Sequence, residues 1–291
     1  MKRIRIAALI LAMAAAPAQA DSVADWNRIA LDAGAKSGQP LEYNLRAMAM
    51  VHVAMFETLN FIQGRYDPHF IVRLPRPLDG MSIEAAVAAA AYHVLVDLYP
   101  FQRPALAATL KSSVHAPPGN QGTANAVAAG TSIGAAICAA RASDGPRPEP
   151  WVLKSAGQLR PQAIAPQNPA HARDDDEAGA SLHADASPLA WNTMTSELIA
   201  SGELSPIERA RIHALVSMVI ADAYTAAQEA AYPCRSCVAS AAVATILESE
   251  LGARPAPAAA RSGKAYQDMG REISRYALLR YRAAPLSADA R

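Results

Sequence analysis

Apolar residues recur every three to four positions along almost the whole chain, and sustained two-residue alternation between hairpin turns is nearly absent. This spacing predicts an almost wholly α-helical protein. The one strand-like fragment covers residues 70–74. Because alanine is abundant and aromatic residues make up only 5% of the chain, we expect closely packed helices that meet through small side chains, as in a helical bundle.

Start and stop signals for helices divide this pattern into separate elements. The clearest start is Ser205-Pro206-Ile207-Glu208, a capping box with proline in the first turn. Glycines after an apolar run, such as Gly34, Gly64 and Gly252, predict helix ends. The predicted helices are 23–33, 40–62, 82–98, 102–114, 120–144, 187–202, 205–230, 234–251 and 263–281.

A long segment at 145–187 interrupts the helical pattern. Six prolines fall between Pro146 and Pro169, and the acidic run 174–177 follows, so we predict a long loop. The acidic run lies near His171 and His183, which leaves a cation site as one interpretation. Such runs are more often solvated, and we predict no metal there.

The N-terminus has the features of a secretory signal peptide. Three cations lie among the first five residues, an apolar run covers 6–16, and the small-x-small sequence Ala18-Gln19-Ala20 precedes Asp21. We expect cleavage after Ala20, which leaves 21–291 as a single periplasmic or secreted domain. No later window holds about 18 uninterrupted apolar residues, so we expect no transmembrane segment after cleavage. The net charge of +1 argues against nucleic acid as a partner.

The three cysteines fall into two groups. Cys234 and Cys237 are spaced to pair, and a structural disulfide is the default in an exported protein. A redox centre is the alternative, because Cys-x-x-Cys at a helix N-terminus can lower the pKa of the first thiol. A zinc site is less favoured, since no histidine lies nearby. Cys138 lies among alanines and is predicted to be a small buried hydrophobe.

Four segments, taken in order, resemble the secreted bacterial branch of the vanadium haloperoxidase and type-2 phosphatidic acid phosphatase superfamily. They are Val23-Ala24-Asp25-Trp26-Asn27 with 44–57; 86–100; Trp191-Asn192 with 208–215 and 221–223; and Tyr232-Pro233-Cys234-Arg235-Ser236-Cys237 with Gly252, 263–265 and 269–271. The resemblance spans most of the chain after residue 20. It implies an all-α helical bundle with a buried oxyanion pocket, which holds vanadate in peroxidases or a phosphoryl group in phosphatases.

The sequence departs from the motifs that build this pocket in the family. A tetrahedral trianion needs a lysine, two arginines, a helix N-terminus and an in-line histidine. The block carrying the lysine and Arg-Pro is missing between Glu229 and Tyr232, and Ser236 occupies the histidine position of a Cys-x-His-Cys version of the next motif. The C-terminal arginine and histidine before Gly263 are also missing, and no histidine follows His213.

We therefore expect a non-catalytic relative without a cofactor. One alternative is a residual phosphatase or haloperoxidase, whose rebuilt anion site would use Arg235, Ser236, Arg261 and Lys264. Another is a Cys-x-x-Cys redox or binding protein. The partner is unknown. The missing block would leave an apolar face exposed, and either a second copy of the chain, in a homodimer, or residues 146–187 could cover that face.

His52 and His213 lie in apolar helical stretches of the sequence. Each could face an internal cleft, but a lone histidine on such a face is more often hydrogen-bonded core. No serine and carboxylate in the sequence complete a triad with either one.

Overall fold

In the computed structural model, the described residues are 21–66, 68, 76–114, 120–144, 150–151, 188–200, 203–230, 234–252 and 264–280. Over these residues the protein consists of α-helices, one 3-10 helix at Pro100–Gln102 and irregular connections, with no strand, so the all-α prediction is confirmed. The α-helices are α1 Ser22–Ser37, α2 Leu41–Gln63, α3 Ile83–Leu98, α4 Arg103–Ser113, α5 Gln121–Ala140, α6 Ala190–Ala200, α7 Pro206–Glu229, α8 Arg235–Leu251 and α9 Lys264–Arg280.

Most helix ends lie within a few residues of their predicted positions. The Ser205–Glu208 capping box is formed at the start of α7, and Gly64 and Gly252 end α2 and α8 in the left-handed conformation that glycine tolerates. The predicted end of α5 near 144 was too late, because the chain turns at residues 141–143. The fragment 70–74 and the acidic run 174–177 lie outside the described residues.

The predicted end of α1 at Gly34 was wrong. The helix continues to Ser37, and Gly38, with φ +67°, ends it. Gly34 is buried instead, and a Cβ there would lie 3.3 Å from the Asn44 Oδ1 and 3.5 Å from the Tyr99 hydroxyl. This glycine therefore serves the close packing of α1 against its neighbours rather than a turn.

Helices α2 and α7 pack against each other at the centre of the bundle. Residues 44–60 of α2 are all buried except Arg46, as is most of α7. The predicted buried face of α7 is confirmed at Ile212, Leu215, Val216, Val219, Ile220 and Ala223. The remaining helices surround this pair, so side chains pointing between α2 and α7 are shielded from water.

Two helices, α2 and α5, are long and apolar enough to cross a membrane by length and composition. The apolar window of α2 is 83% buried inside the bundle, as in the core helix of a soluble protein. The window of α5 is 39% buried. The length and composition of α2 and α5 are therefore weak evidence for a membrane-spanning helix.

Candidate functional site

The predicted cysteine pair lies at the N-terminus of α8. Cys234 is the N-cap residue and is bonded to Cys237 in a disulfide. The backbone N–H of Cys237 also donates to the Cys234 Sγ at 3.2 Å. The disulfide thus closes the first turn of α8, while Cys138 is a buried free thiol, as predicted.

Of the four residues proposed for a rebuilt anion site, the structure describes the side chains of two. Arg235 starts α8, and its Nη1 lies 3.5 Å from the Glu42 carboxylate of α2. The Arg235 guanidinium also lies 5.6 Å from the centre of the Tyr224 ring. Ser236 is half-buried in the first turn of α8. Arg261 lies outside the described residues, and of Lys264 only the backbone position at the start of α9 is described.

The two described residues, Arg235 and Ser236, do not by themselves supply the charges that a vanadate or phosphoryl group needs. A trianion needs several cations that face it without competing carboxylates. Here the described cation nearest the start of α8 already faces Glu42, whose negative charge repels an oxyanion. An in-line imidazole cannot come from α8 or α9, because the sequence holds no histidine after His213.

A closed ring of six polar side chains lies in the core between α1, α2, α6 and α7. We call it the polar ring, and its members are Asn27, Ser196, His213, His52, Ser217 and Asn192. Five of the six are at most 2% exposed, and Ser196 is half-buried. The sequence suggested that the two histidines are hydrogen-bonded core, which is confirmed, but it did not indicate that they meet.

Hydrogen bonds and one ring contact close the polar ring. The Asn27 side-chain amide donates to Ser196 Oγ at 2.9 Å and to the backbone carbonyl of Asn192 at 3.3 Å, so the ring closes through a main-chain oxygen. Ser196 Oγ lies 3.1 Å from His213 Nε2. On the other side, Ser217 Oγ lies 2.6 Å from His52 Nδ1 and donates to Asn192 Oδ1 at 2.8 Å.

Burial decides what the histidines of the polar ring can do. It lowers the pKa of His213 to about 4, against a small opposing effect of Asp21, and it lowers the pKa of His52 well below its usual value, with a further contribution from His213. Both rings are therefore neutral at pH 7. The Ser217–His52 pair has the atoms of a nucleophile and base, but Ser217 is 1% exposed, so a substrate cannot reach it.

A cavity of about 500 Å³ opens between α2, α3 and α5. Its lining includes Tyr43, Arg46, His93, Asp97, Cys138 and Asp144. Burial, and secondarily the charge and hydrogen bond of Asp97, raise the pKa of Cys138 to about 12, so this thiol is a poor nucleophile. Nowhere in the described ranges do three or more histidine, cysteine or acidic side chains converge as a metal site.

A buried charge cluster borders this cavity and joins the end of α5 to Trp151. Asp144 Oδ2 accepts from Arg46 Nε at 3.0 Å and is paired with Arg141 Nε at 2.6 Å. The Arg141 guanidinium lies 4.1 Å from the centre of the Trp151 ring, and the backbone N–H of Trp151 donates to Asp222 Oδ1 at 2.7 Å. Sequence reasoning missed this cluster, because its residues come from four separated parts of the chain.

Comparison with known proteins identifies the fold but not a family. No protein-family model matches the chain, and no curated protein matches its sequence. The crystal structure of the first bacterial vanadium-dependent iodoperoxidase is similar, with a TM-score of 0.60 over 89% of this chain and 96% of that one. At 10% sequence identity this similarity shows a common haloperoxidase-like, all-α fold and nothing about the site.

Proposed function

We propose that this chain is an exported relative of the vanadium haloperoxidases and type-2 phosphatidic acid phosphatases that neither holds vanadate nor transfers phosphoryl groups. One observation carries the proposal: the Arg235 guanidinium at the start of α8 faces Glu42. The missing lysine, Arg-Pro and histidine motifs agree with it. In this proposal the chain needs no cofactor, and the Cys234–Cys237 disulfide has a structural role.

The expected loss of anion affinity is large. Removing one partner from a buried charge pair costs about 2 to 5 kcal/mol, since the group left behind is desolvated and unpaired. This chain lacks several of the cations that the family's pocket uses, and Arg235 has a carboxylate beside it. The free energy of anion binding that is lost with these cations is therefore larger than Arg235 alone can supply.

We expect no vanadate binding tighter than about 1 mM by calorimetry and no turnover of p-nitrophenyl phosphate. Arg235→Gln should behave as the wild type does in both assays. Glu42→Gln, which frees the Arg235 guanidinium, should still show no turnover because neither α8 nor α9 carries a histidine that could act as nucleophile. Micromolar vanadate binding that Arg235→Gln abolishes would instead support the rebuilt anion site.

Export is the second part of the proposal. Helix α1 begins at Ser22, and Asp21 caps it by accepting from the N–H groups of Val23 and Ala24. A capped helix thus begins directly after the predicted cleavage site, so cleavage there would leave helix α1 and its cap intact.

We expect the chain, expressed with its first 20 residues in a Gram-negative host, to accumulate in the periplasm or medium with Asp21 as its N-terminus. Intact mass and N-terminal sequencing measure this. Ala18→Leu with Ala20→Leu should block processing, since the cleavage site needs small residues. A wild-type chain that keeps residues 1–20 and sediments with membranes would contradict cleavage and indicate a retained anchor.

A further inference from the structure

The two imidazoles of the polar ring stack face to face. The His52 and His213 ring centres lie 4.8 Å apart, and their planes are inclined by 20°. Both side chains have no exposed surface. One ring comes from α2 and the other from α7, so the contact joins the two central helices.

Hydrogen-bond roles determine where a proton would go. The Ser217 hydroxyl donates its single proton to Asn192 Oδ1, so His52 Nδ1 carries the proton of its 2.6 Å bond to Ser217. His52 Nε2 is then the basic nitrogen, and no partner for it lies in the described part of the chain. His213 bonds Ser196 through Nε2, and its Nδ1 likewise has no partner among the described residues.

The surroundings offer little compensation for a positive charge. The other four members of the polar ring are neutral amides and hydroxyls. The carboxylate that acts on His213 is Asp21, the N-cap residue of α1, and it is paired with Arg209 at 2.7 Å. The titratable group that acts on His52 is His213 itself, so protonating one ring disfavours protonating the other.

We propose that the stacked His52–His213 pair is an acid-sensitive switch that holds α1, α2, α6 and α7 together only while both rings are neutral. Uptake of a proton places a charge in a site where the one carboxylate that acts on it among the described residues, Asp21, is already paired with Arg209, and the polar ring must open to water. Asn27 on α1 and both Asn192 and Ser196 on α6 then lose their partners. This inference does not depend on the proposed lack of catalysis.

The sign of the pH dependence follows from the lowered pKa values. A histidine in the unfolded chain has a pKa of about 6.5, so the unfolded state binds the proton first as the pH falls. The stability that the neutral pair contributes is complete above pH 6.5 and is lost towards the folded-state pKa, which is about 4 for His213. As the pH falls from 6.5 to 5, a range above the pKa of most carboxyl groups, each ring should raise the unfolding constant roughly tenfold.

The test is the pH dependence of the urea-unfolding constant between pH 6.5 and 5. His52→Asn keeps an amide near the Nδ1 position that contacts Ser217, and His213→Gln keeps one near the Nε2 position that contacts Ser196. In the wild type the unfolding constant should rise as the pH falls from 6.5 to 5. We expect this rise to be about tenfold smaller in each single variant and to be mostly absent in the double variant. His93→Gln is the matched control, because His93 is half-buried beside the cavity and outside the polar ring.

Two results would overturn the proposal. One is a wild-type pH dependence that persists in the double variant. The other needs no variant. It is a titration near pH 6.5 of either buried ring, measured by nitrogen NMR of the imidazoles in the folded wild-type protein. Faster amide exchange in α1 and α6 at pH 5 than at pH 7, after correction for the intrinsic rate, would support the opening step.

Discussion

Asp144→Asn should lower the free energy of unfolding by about 3 kcal/mol, because it leaves two buried arginines without their shared carboxylate. Arg141 and Asp144 side chains are 7% and 3% exposed, and Arg46 is 15% exposed. Burial already lowers the pKa of Arg141 despite the attraction of Asp144 and Asp222, which shows that its charge is costly to hold there. Urea unfolding followed by circular dichroism measures the loss.

Asp32→Asn is the matched control for this prediction. The Asp32–Lys36 pair has the same 2.6 Å separation as Asp144–Arg141, but its side chains are 58% and 66% exposed. Exposed pairs contribute about 0 to 1 kcal/mol, so Asp32→Asn should change stability by less than about 0.5 kcal/mol. Equal effects of the two substitutions would show that the Asp144 cluster is not desolvated.

Asp144→Asn also reports on the Pro-rich segment. Arg141 stacks on Trp151, and a guanidinium that has lost the Asp144 carboxylate is held in place less firmly. This change should weaken the ring contact but not the hydrogen bond from the backbone N–H of Trp151 to Asp222. The cluster thus couples the end of α5 to Trp151.

Helix positions could be predicted from the sequence because their signals are local. A capping box at Ser205 and glycines at Gly64 and Gly252 each act within one turn, and the structure confirms them. The helix end predicted at Gly34 was wrong because the sequence does not distinguish a glycine that ends a helix from one that allows a neighbouring side chain to pack closely. The Asn44 and Tyr99 side chains that decide between them come from α2 and from the residue that follows α3.

The polar ring could not be predicted because its contacts join residues up to 169 positions apart. The sequence did place Asn27 and Asn192 directly after Trp26 and Trp191, in two of the segments that resemble the haloperoxidases. Both asparagines bond across helices in the core, and Asp222 from the same resemblance binds the Trp151 backbone. These three polar residues thus stabilise the bundle. Under the proposed function, the motifs that the sequence lacks are those of the anion pocket.

Gly130→Ala should destabilise the protein by about 2 kcal/mol, although alanine is the better helix former by about 0.5 to 1 kcal/mol. A Cβ at Gly130 would overlap the Ala86 carbonyl oxygen and would lie 3.0 Å from the Ala90 nitrogen. Both are backbone atoms of α3, so the new methyl group can be accommodated only if α3 and α5 move apart.

The sign of this effect separates two explanations for the glycines in α5. If Gly130 is only one of many small residues in α5, alanine should stabilise the helix. If the absence of a side chain at Gly130 lets the α3 backbone approach closely, alanine should destabilise the bundle. Thr131→Ala, at the next and exposed position of α5, is the control and should stay within about 0.5 kcal/mol of the wild type. Thermal and urea unfolding of the two variants measure the difference. A Gly130→Ala protein as stable as the wild type would mean that α3 and α5 pack less closely than the carbonyl contact requires.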